Sequence, residues 1–212
     1  GAADLKMNKE DINKIDYSKF SSVIVTGTSL AAEPSRSATL EALTIAKTNN
    51  LPIILDIDYR PYTWRSAEEA STIYLKAATA SDIVVGNDDE FAVMAGDYQE
   101  GIHLAKRLSE STASIVIYKM GEKGSITFSE GKKIMTGIFE VDALKPTGAG
   151  DAFMGVFISS LLNKKPIKDS VLYGSAAAAI VVTKVGCSPA MPNYEELELF
   201  VKENAIIKFK ES

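Results

Sequence analysis

The residues Lys145-Pro146-Thr147-Gly148-Ala149-Gly150-Asp151-Ala152-Phe153 run a Gly-rich turn into an apolar helical stretch and set a carboxylate at the junction. Glycine lets a backbone approach a ligand closely. The unpaired N–H groups of a helix's first turn, at the positive end of its dipole, favour an anion. An acid beside such an anion hole is placed to take a proton from a hydroxyl as that hydroxyl attacks a phosphoryl group. The segment reads as a phosphate site with its own general base, Asp151. A structural reading fits the same residues, because Asp is a preferred helix N-cap and Gly-rich turns precede many helices for packing alone.

The Thr147-Gly148-Ala149-Gly150-Asp151-Ala152-Phe153 stretch resembles the C-terminal signature of the ribokinase-like (PfkB) carbohydrate kinases. That resemblance implies that Asp151 is the catalytic base and that the backbone amides of Gly148, Ala149 and Gly150 form the anion hole. Three further segments match in the right order. Asn87-Asp88-Asp89-Glu90 resembles the family's N-x-x-E element, implying that Asn87 and Glu90 act on Mg2+ and phosphate through ordered water. Lys119-Met120-Gly121-Glu122-Lys123-Gly124 resembles its nucleotide loop, which implies that Lys119, Gly121 and Gly124 lie along ATP. Residues 186–192, followed by acidic residues, resemble the adenine-side loop and bring in Gly186 and Pro192.

A narrower resemblance comes from Asp56-Ile57-Asp58-Tyr59-Arg60-Pro61-Tyr62-Thr63-Trp64, similar to the D-Y-R-P-x-x-W stretch of the branch that phosphorylates keto-deoxy sugar acids. It implies substrate contacts from Asp58, Arg60 and Trp64. The Arg60 guanidinium presents a rigid fork of donors that matches a carboxylate, and Asp58 bonds sugar hydroxyls. The same branch tends to carry Lys-Pro-Thr before Gly-Ala-Gly-Asp, where most of the wider family has an aspartate in place of the lysine. Lys145 and Thr147 are accordingly expected at the nucleotide, with a cation near its phosphates. The implied reaction is ATP-dependent phosphorylation of the terminal hydroxyl of a keto-deoxy sugar acid, with 5-dehydro-2-deoxy-D-gluconate of myo-inositol breakdown favoured and 2-keto-3-deoxygluconate as the competing substrate. Each residue has a structural rival role: Asn87 and Glu90 as a helix start, Arg60 as a surface ion-pair partner, Trp64 as core, and Lys119 and Lys145 as solvated cations.

Composition fits a globular enzyme. The chain has 212 residues, 46% of them hydrophobic, and a formal net charge of −5, enough to bury a substantial core. No basic run with interleaved aromatics appears, so a nucleic-acid partner is not expected. The longest apolar run, residues 176–183, is far too short to span a bilayer. No signal-peptide pattern opens the chain, and a lone cysteine, Cys187, cannot form an internal disulfide; the expected compartment is the cytoplasm. With one histidine, His103, beside one cysteine, a transition-metal site is not expected.

The elements that must position these residues alternate between strand and helix. Strands are predicted at residues 22–26, 52–57, 82–85 and 114–119, followed by a hairpin at 125–128 and 132–136 and a short strand at 139–141. Helices are predicted at 35–49, 67–80, 88–95, 100–108, 152–162, 167–184 and 194–203, the last capped by Asn193 with Glu196. Such alternation implies a parallel sheet that binds ligands at the carboxyl ends of its strands. The resemblance implies a single α/β domain over residues 1–212, a ribokinase-like three-layer sandwich with a mostly parallel sheet. It covers about the C-terminal two-thirds of the family's usual length, and nothing before Asn13 resembles the family's lid and first sugar-binding segments. A chain lacking that lid portion is expected to bind ATP weakly, to phosphorylate sugar hardly at all, and, with a sheet edge and apolar helix faces uncovered, to self-associate or to pack the front of the chain differently. A second reading is a non-catalytic remnant that serves as a nucleotide-binding module.

Overall fold

Short apolar runs form strands and the segments between them form helices in the computed structural model, which describes residues 3–207 and 209. In chain order the elements are α1 (Lys9–Asn13), β1 (Val23–Thr26), α2 (Ser35–Thr48), β2 (Ile53–Asp56), α3 (Ala67–Ala78), β3 (Ile83–Asn87), α4 (Asp88–Ala95), α5 (Gly101–Ser111), β4 (Ile115–Lys119), β5 (Ser125–Ser129), β6 (Lys132–Thr136), β7 (Ile138–Phe139), α6 (Ala149–Leu162), α7 (Ile167–Val182), α8 (Tyr194–Glu203) and β8 (Ile206–Ile207). The main sheet has the order β1-β2-β3-β4-β5-β6, with β1 to β4 parallel. β7 and β8 form a separate antiparallel pair. This is the mostly parallel α/β architecture expected from the sequence.

Two compact units divide the chain, Gly1–Lys119 with Thr127–Lys133 and Met120–Ile126 with Ile134–Ser212. In the first, β2 is buried at every position, as a strand covered on both faces by helices must be. Its neighbours align in register, Thr26 beside Asp56 and Asp56 beside Val85. The carboxyl ends of β1, β2 and β3 therefore finish at one level, and the segments that follow them carry Thr28, Asp58, Arg60 and Glu90. Tyr74 of α3 is fully buried beneath these ends. Gly27 explains how it fits. A Cβ on Gly27 would lie 1.9 Å from the Ile57 carbonyl oxygen and 2.4 Å from the Tyr74 ring.

In the second unit α6 and α7 pack along each other. Small residues on α7, Ala176, Ala177 and Ala179, join Phe139, Ala152, Ile180 and Leu197 in one buried cluster. α8 begins as predicted, with the Asn193 side chain accepting from the Glu196 N–H at 2.9 Å and Glu196 returning the bond at 3.1 Å.

Three local differences have physical causes. α6 starts at Ala149 rather than Ala152, because Gly148 takes a left-handed conformation, φ 89°, and caps it. The charged stretch near the start of the chain holds a short helix, α1, that the spacing does not predict. Its Asn8 and Asp11 form a capping box, and Ile12 is its one buried residue. β8 exists through its pairing with β7. Among the described residues, no helix is long and apolar enough to cross a membrane.

Gly27→Ala tests the close approach. Overpacking costs about 1–3 kcal/mol and occasionally more, and contact with a backbone carbonyl leaves little room to relax. A loss of about 3 kcal/mol in urea unfolding is expected, and a loss below about 0.5 kcal/mol would contradict the tight junction.

Candidate active site

The second unit carries the Gly-rich turn. Gly148 needs its positive φ, and a Cβ there would also crowd Val181 Cγ1 at 3.3 Å and Cys187 Cβ at 3.5 Å. The Ala149 N–H turns back to the Pro146 carbonyl at 3.3 Å, and the Ala152 N–H takes the Gly148 carbonyl at 3.0 Å. The amides of Gly150 and Asp151 fall in the first helical turn, where intrahelical partners are lacking by geometry. A Cβ on Gly150 would meet no atom within 4 Å. Space is therefore open over this turn. Asp151 is the third residue of α6 and is exposed. Gly148, not Asp151, occupies the N-cap position, so the carboxylate is not used as a cap.

Two loops of the same unit were expected at the nucleotide. After β4, Gly121 and Gly124 both have positive φ, 54° and 98°, and the Met120 N–H closes the loop on the Gly124 carbonyl at 2.8 Å. After α7, Gly186 has φ 96°, Ser188–Ala190 forms a 3-10 turn, and Pro192 precedes the cap of α8. Lys145 is turned toward this second loop. Its Nζ donates to the Gly186 carbonyl at 2.5 Å and lies 3.7 Å from Cys187 Sγ. Thr147 is exposed beside the turn.

The first unit gathers the other candidates at its strand ends. Asn87 caps α4, its side chain accepting from the Glu90 N–H at 2.8 Å. Glu90 is buried, and its two oxygens go to two backbone donors: Oε2 takes the Asn87 N–H at 2.7 Å, and Oε1 takes the Tyr59 N–H at 3.2 Å. The carboxylate thus ties the loop after β2 to the start of α4. Burial pushes its pKa up, opposed by the Lys119 charge and the two N–H donors, with Asp58 adding to the rise. Lys119, at the end of β4, stands beside Asn87 in register.

The loop that Glu90 holds carries the sugar-side candidates. Asp58 has φ 41°. Its Oδ1 pairs with Arg60 Nη2 at 2.5 Å, while Nη1 donates to the Tyr59 carbonyl at 3.2 Å. Arg60 remains half-exposed. Trp64, the third residue for which the resemblance implies a substrate contact, lies in the core. It is 8% exposed, its ring 5.0 Å from that of Tyr74, with the Arg36 guanidinium 5.3 Å from its centroid. Arg36 is itself fixed by Glu69 at 2.7 Å and by the Leu30 and Ala31 carbonyls. Trp64 therefore supports the loop from the core.

The family model described as pfkB family carbohydrate kinase matches residues 1–194. The chain belongs to this family. A 5-dehydro-2-deoxygluconokinase of Photobacterium profundum is 41% identical over 206 residues, which make up 95% of this chain and 62% of that protein. One from Bacillus subtilis is 37% identical over 205 residues, 94% of this chain and 62% of that protein. Fructokinase from Vibrio cholerae, solved with fructose, ADP and calcium ion, has a TM-score of 0.81 at 25% identity, covering 94% of this chain and 66% of that one. The chain thus spans about three-fifths of the length of the curated relatives it matches.

Some of this candidate site has no signature in side-chain type. The Tyr59 N–H that binds Glu90 is a main-chain group, and the positive φ of Asp58 is not signalled by its residue type. The Asn87/Glu90 spacing points to the helix start that the structure forms; nothing local points to Tyr59.

The buried carboxyl gives a pH test. Because burial raises Glu90 above the ordinary value of 4.5, the folded chain favours the protonated form more than the unfolded chain does. That stability is present in full below 4.5 and is lost as pH rises through the raised value. Glu90→Gln is neutral throughout, so it should gain stability relative to wild type as pH climbs from 4.5 toward neutrality. Urea midpoints across that range check this. Parallel profiles would mean that Glu90 is as well solvated folded as unfolded.

Proposed function

We propose that the protein carrying this chain transfers the γ-phosphoryl group of ATP to the terminal hydroxyl of a keto-deoxy sugar acid, 5-dehydro-2-deoxy-D-gluconate, in the breakdown of myo-inositol. The observation that carries the reading is Asp151, an exposed carboxylate in the first turn of α6 beside open space over Gly150. The name shared by the most similar relatives supports the choice of sugar acid.

On this reading the sugar hydroxyl oxygen attacks the γ-phosphorus, its proton passes to an Asp151 oxygen, and the bond from phosphorus to the ADP oxygen breaks. The Gly150 and Asp151 N–H groups hold the charge on the transferring oxygens. The Ala149 N–H, already directed at Pro146, contributes less than the sequence implies. The Lys119-to-Gly124 loop and the 186–192 loop carry the rest of the nucleotide. Magnesium, when bound with ATP, neutralises phosphate oxygens and keeps several waters. Asn87 and Glu90 would hold it through such waters, since Glu90 is buried and each of its oxygens already accepts one backbone N–H group. Arg60 reads the substrate carboxylate with a fork that Asp58 orients. The lone thiol Cys187 suits a reducing compartment, and the cytoplasm is the setting we assign.

Asp151→Asn keeps the shape of the turn but removes the proton acceptor. Turnover should fall to near background while ATP affinity stays within about twofold, read by a coupled kinase assay beside calorimetric titration. Comparable turnover in the two proteins would remove Asp151 from the proton transfer.

Arg60→Ala should weaken the acidic sugar roughly ten- to a hundredfold and ATP hardly at all, since a hydrogen bond to a charged group contributes about 1.5–3 kcal/mol. Steady-state KM values for the acid and for its neutral analogue check this; equal losses for the two would mean that Arg60 does not read the carboxylate.

A further inference from the structure

Lys145 is held at both ends. The N–H groups of Leu144 and Lys145 both donate to the Val182 carbonyl, at 2.8 and 3.2 Å, pinning its main chain to the last turn of α7. Helix ends leave carbonyls without intrahelical partners and carry the negative pole of the dipole. The ammonium then reaches past that end to the Gly186 carbonyl at 2.5 Å, with Cys187 Sγ at 3.7 Å. Gly186 is in a left-handed conformation that few side chains tolerate, so its carbonyl is presented in one direction. The next residue, Cys187, packs against Gly148: its Cβ and Cα lie 3.5 and 3.6 Å from where a Gly148 Cβ would stand.

We propose that Lys145 is a positioning residue, a built-in cation that latches the 186–192 loop to the turn preceding Asp151, rather than a contact to nucleotide phosphate. This rests on the reading that both segments meet the nucleotide. The latch explains how one side chain shapes two parts of that site. By holding the Gly186 carbonyl it seats Cys187 on Gly148, the residue whose conformation starts α6 and aims its first amides. The Gly186 carbonyl takes one of the three N–H donors of the ammonium, and that bond is made within the chain itself, so the anchoring role does not depend on a phosphate.

The two roles separate by ligand. A latch acts on the shape of the loop, so its loss should weaken adenosine and ATP by the same factor; a phosphate contact acts on ATP alone. For Lys145→Met we expect Kd for both to rise roughly tenfold or more, with their ratio unchanged. In Lys145→Ala, added propylammonium should restore part of the affinity for both. Hydrogen exchange in the ligand-free protein gives an independent readout. The Ala190 and Met191 amides, bonded to the Cys187 and Ser188 carbonyls, should exchange at least about tenfold faster in Lys145→Met, while the amides of α4 keep their rates. Loss confined to ATP would overturn the proposal, as would unchanged exchange in the 186–192 loop. If wild type binds neither adenosine nor ATP, the nucleotide reading fails and the exchange experiment alone decides the latch.

Discussion

A single buried carboxylate, Glu90, is shared by two backbone N–H groups, those of Tyr59 and Asn87, and the loop after β2 depends on that sharing. A parallel sheet delivers its loops to one edge but does not fix their conformations. Here the loop after β2 turns through a positive φ at Asp58, which a non-glycine residue adopts at a cost. The Glu90 bond to Tyr59 holds the residue just after that turn. The same carboxylate caps α4 through Asn87, so the loop and the helix take their positions from one group. Burying a charge is costly unless it is hydrogen-bonded, and both oxygens of Glu90 are so engaged; the raised pKa is the residual cost.

The Gly-rich turn depends on a different device, the left-handed Gly148. An L side chain at that position would be strained and would also crowd Val181 and Cys187. With glycine there, α6 begins three residues before its apolar run and places Asp151 inside the first turn, not ahead of it. The consequence is chemical. As an N-cap, Asp151 would have spent its carboxylate on its own helix; as the third residue it is exposed. Both devices keep side-chain oxygens or main-chain donors in chosen states by using backbone conformations that the local sequence tolerates only at glycine or at a stabilised aspartate.

Much of this was legible in the sequence because the signals are local. Short apolar runs such as 53–55 and 115–117 read as buried strands, and the Asn87/Glu90 and Asn193/Glu196 spacings mark helix starts that the structure forms. The mostly parallel sheet follows from the alternation of those elements. What did not read through depends on distant partners. Trp64 reads as a substrate contact within its motif, yet the ring of Tyr74 and the Arg36 guanidinium, neither of them part of that motif, pack against it. Lys145 reads as a phosphate cation within its motif, and nothing beside it in sequence points to the Gly186 carbonyl that it bonds. The helix at Lys9–Asn13 hides in a charged stretch, since a five-residue helix with one buried side chain, Ile12, carries too short a period to detect.

The Asp58–Arg60 pair bears on selectivity in the proposed reaction. The guanidinium is half-exposed, with Nη2 on Asp58 and Nη1 on the Tyr59 carbonyl, so it is aligned before any ligand arrives. An exposed pair of this kind contributes little to stability, which makes its geometry more informative than its energy. A substrate carboxylate would meet an Arg whose orientation cost is already met by Asp58, while repulsion from Asp58 would penalise a carboxylate approaching from the wrong side. A neutral sugar would gain neither the charge-assisted bond nor the steering, and its hydroxyls would compete with Asp58 for the same N–H groups at lower strength. Discrimination between acid and neutral sugar would then come from the pair acting together. Asp58, which the motif suggests as a hydroxyl ligand, would serve selectivity mainly by limiting the directions from which Arg60 can be approached.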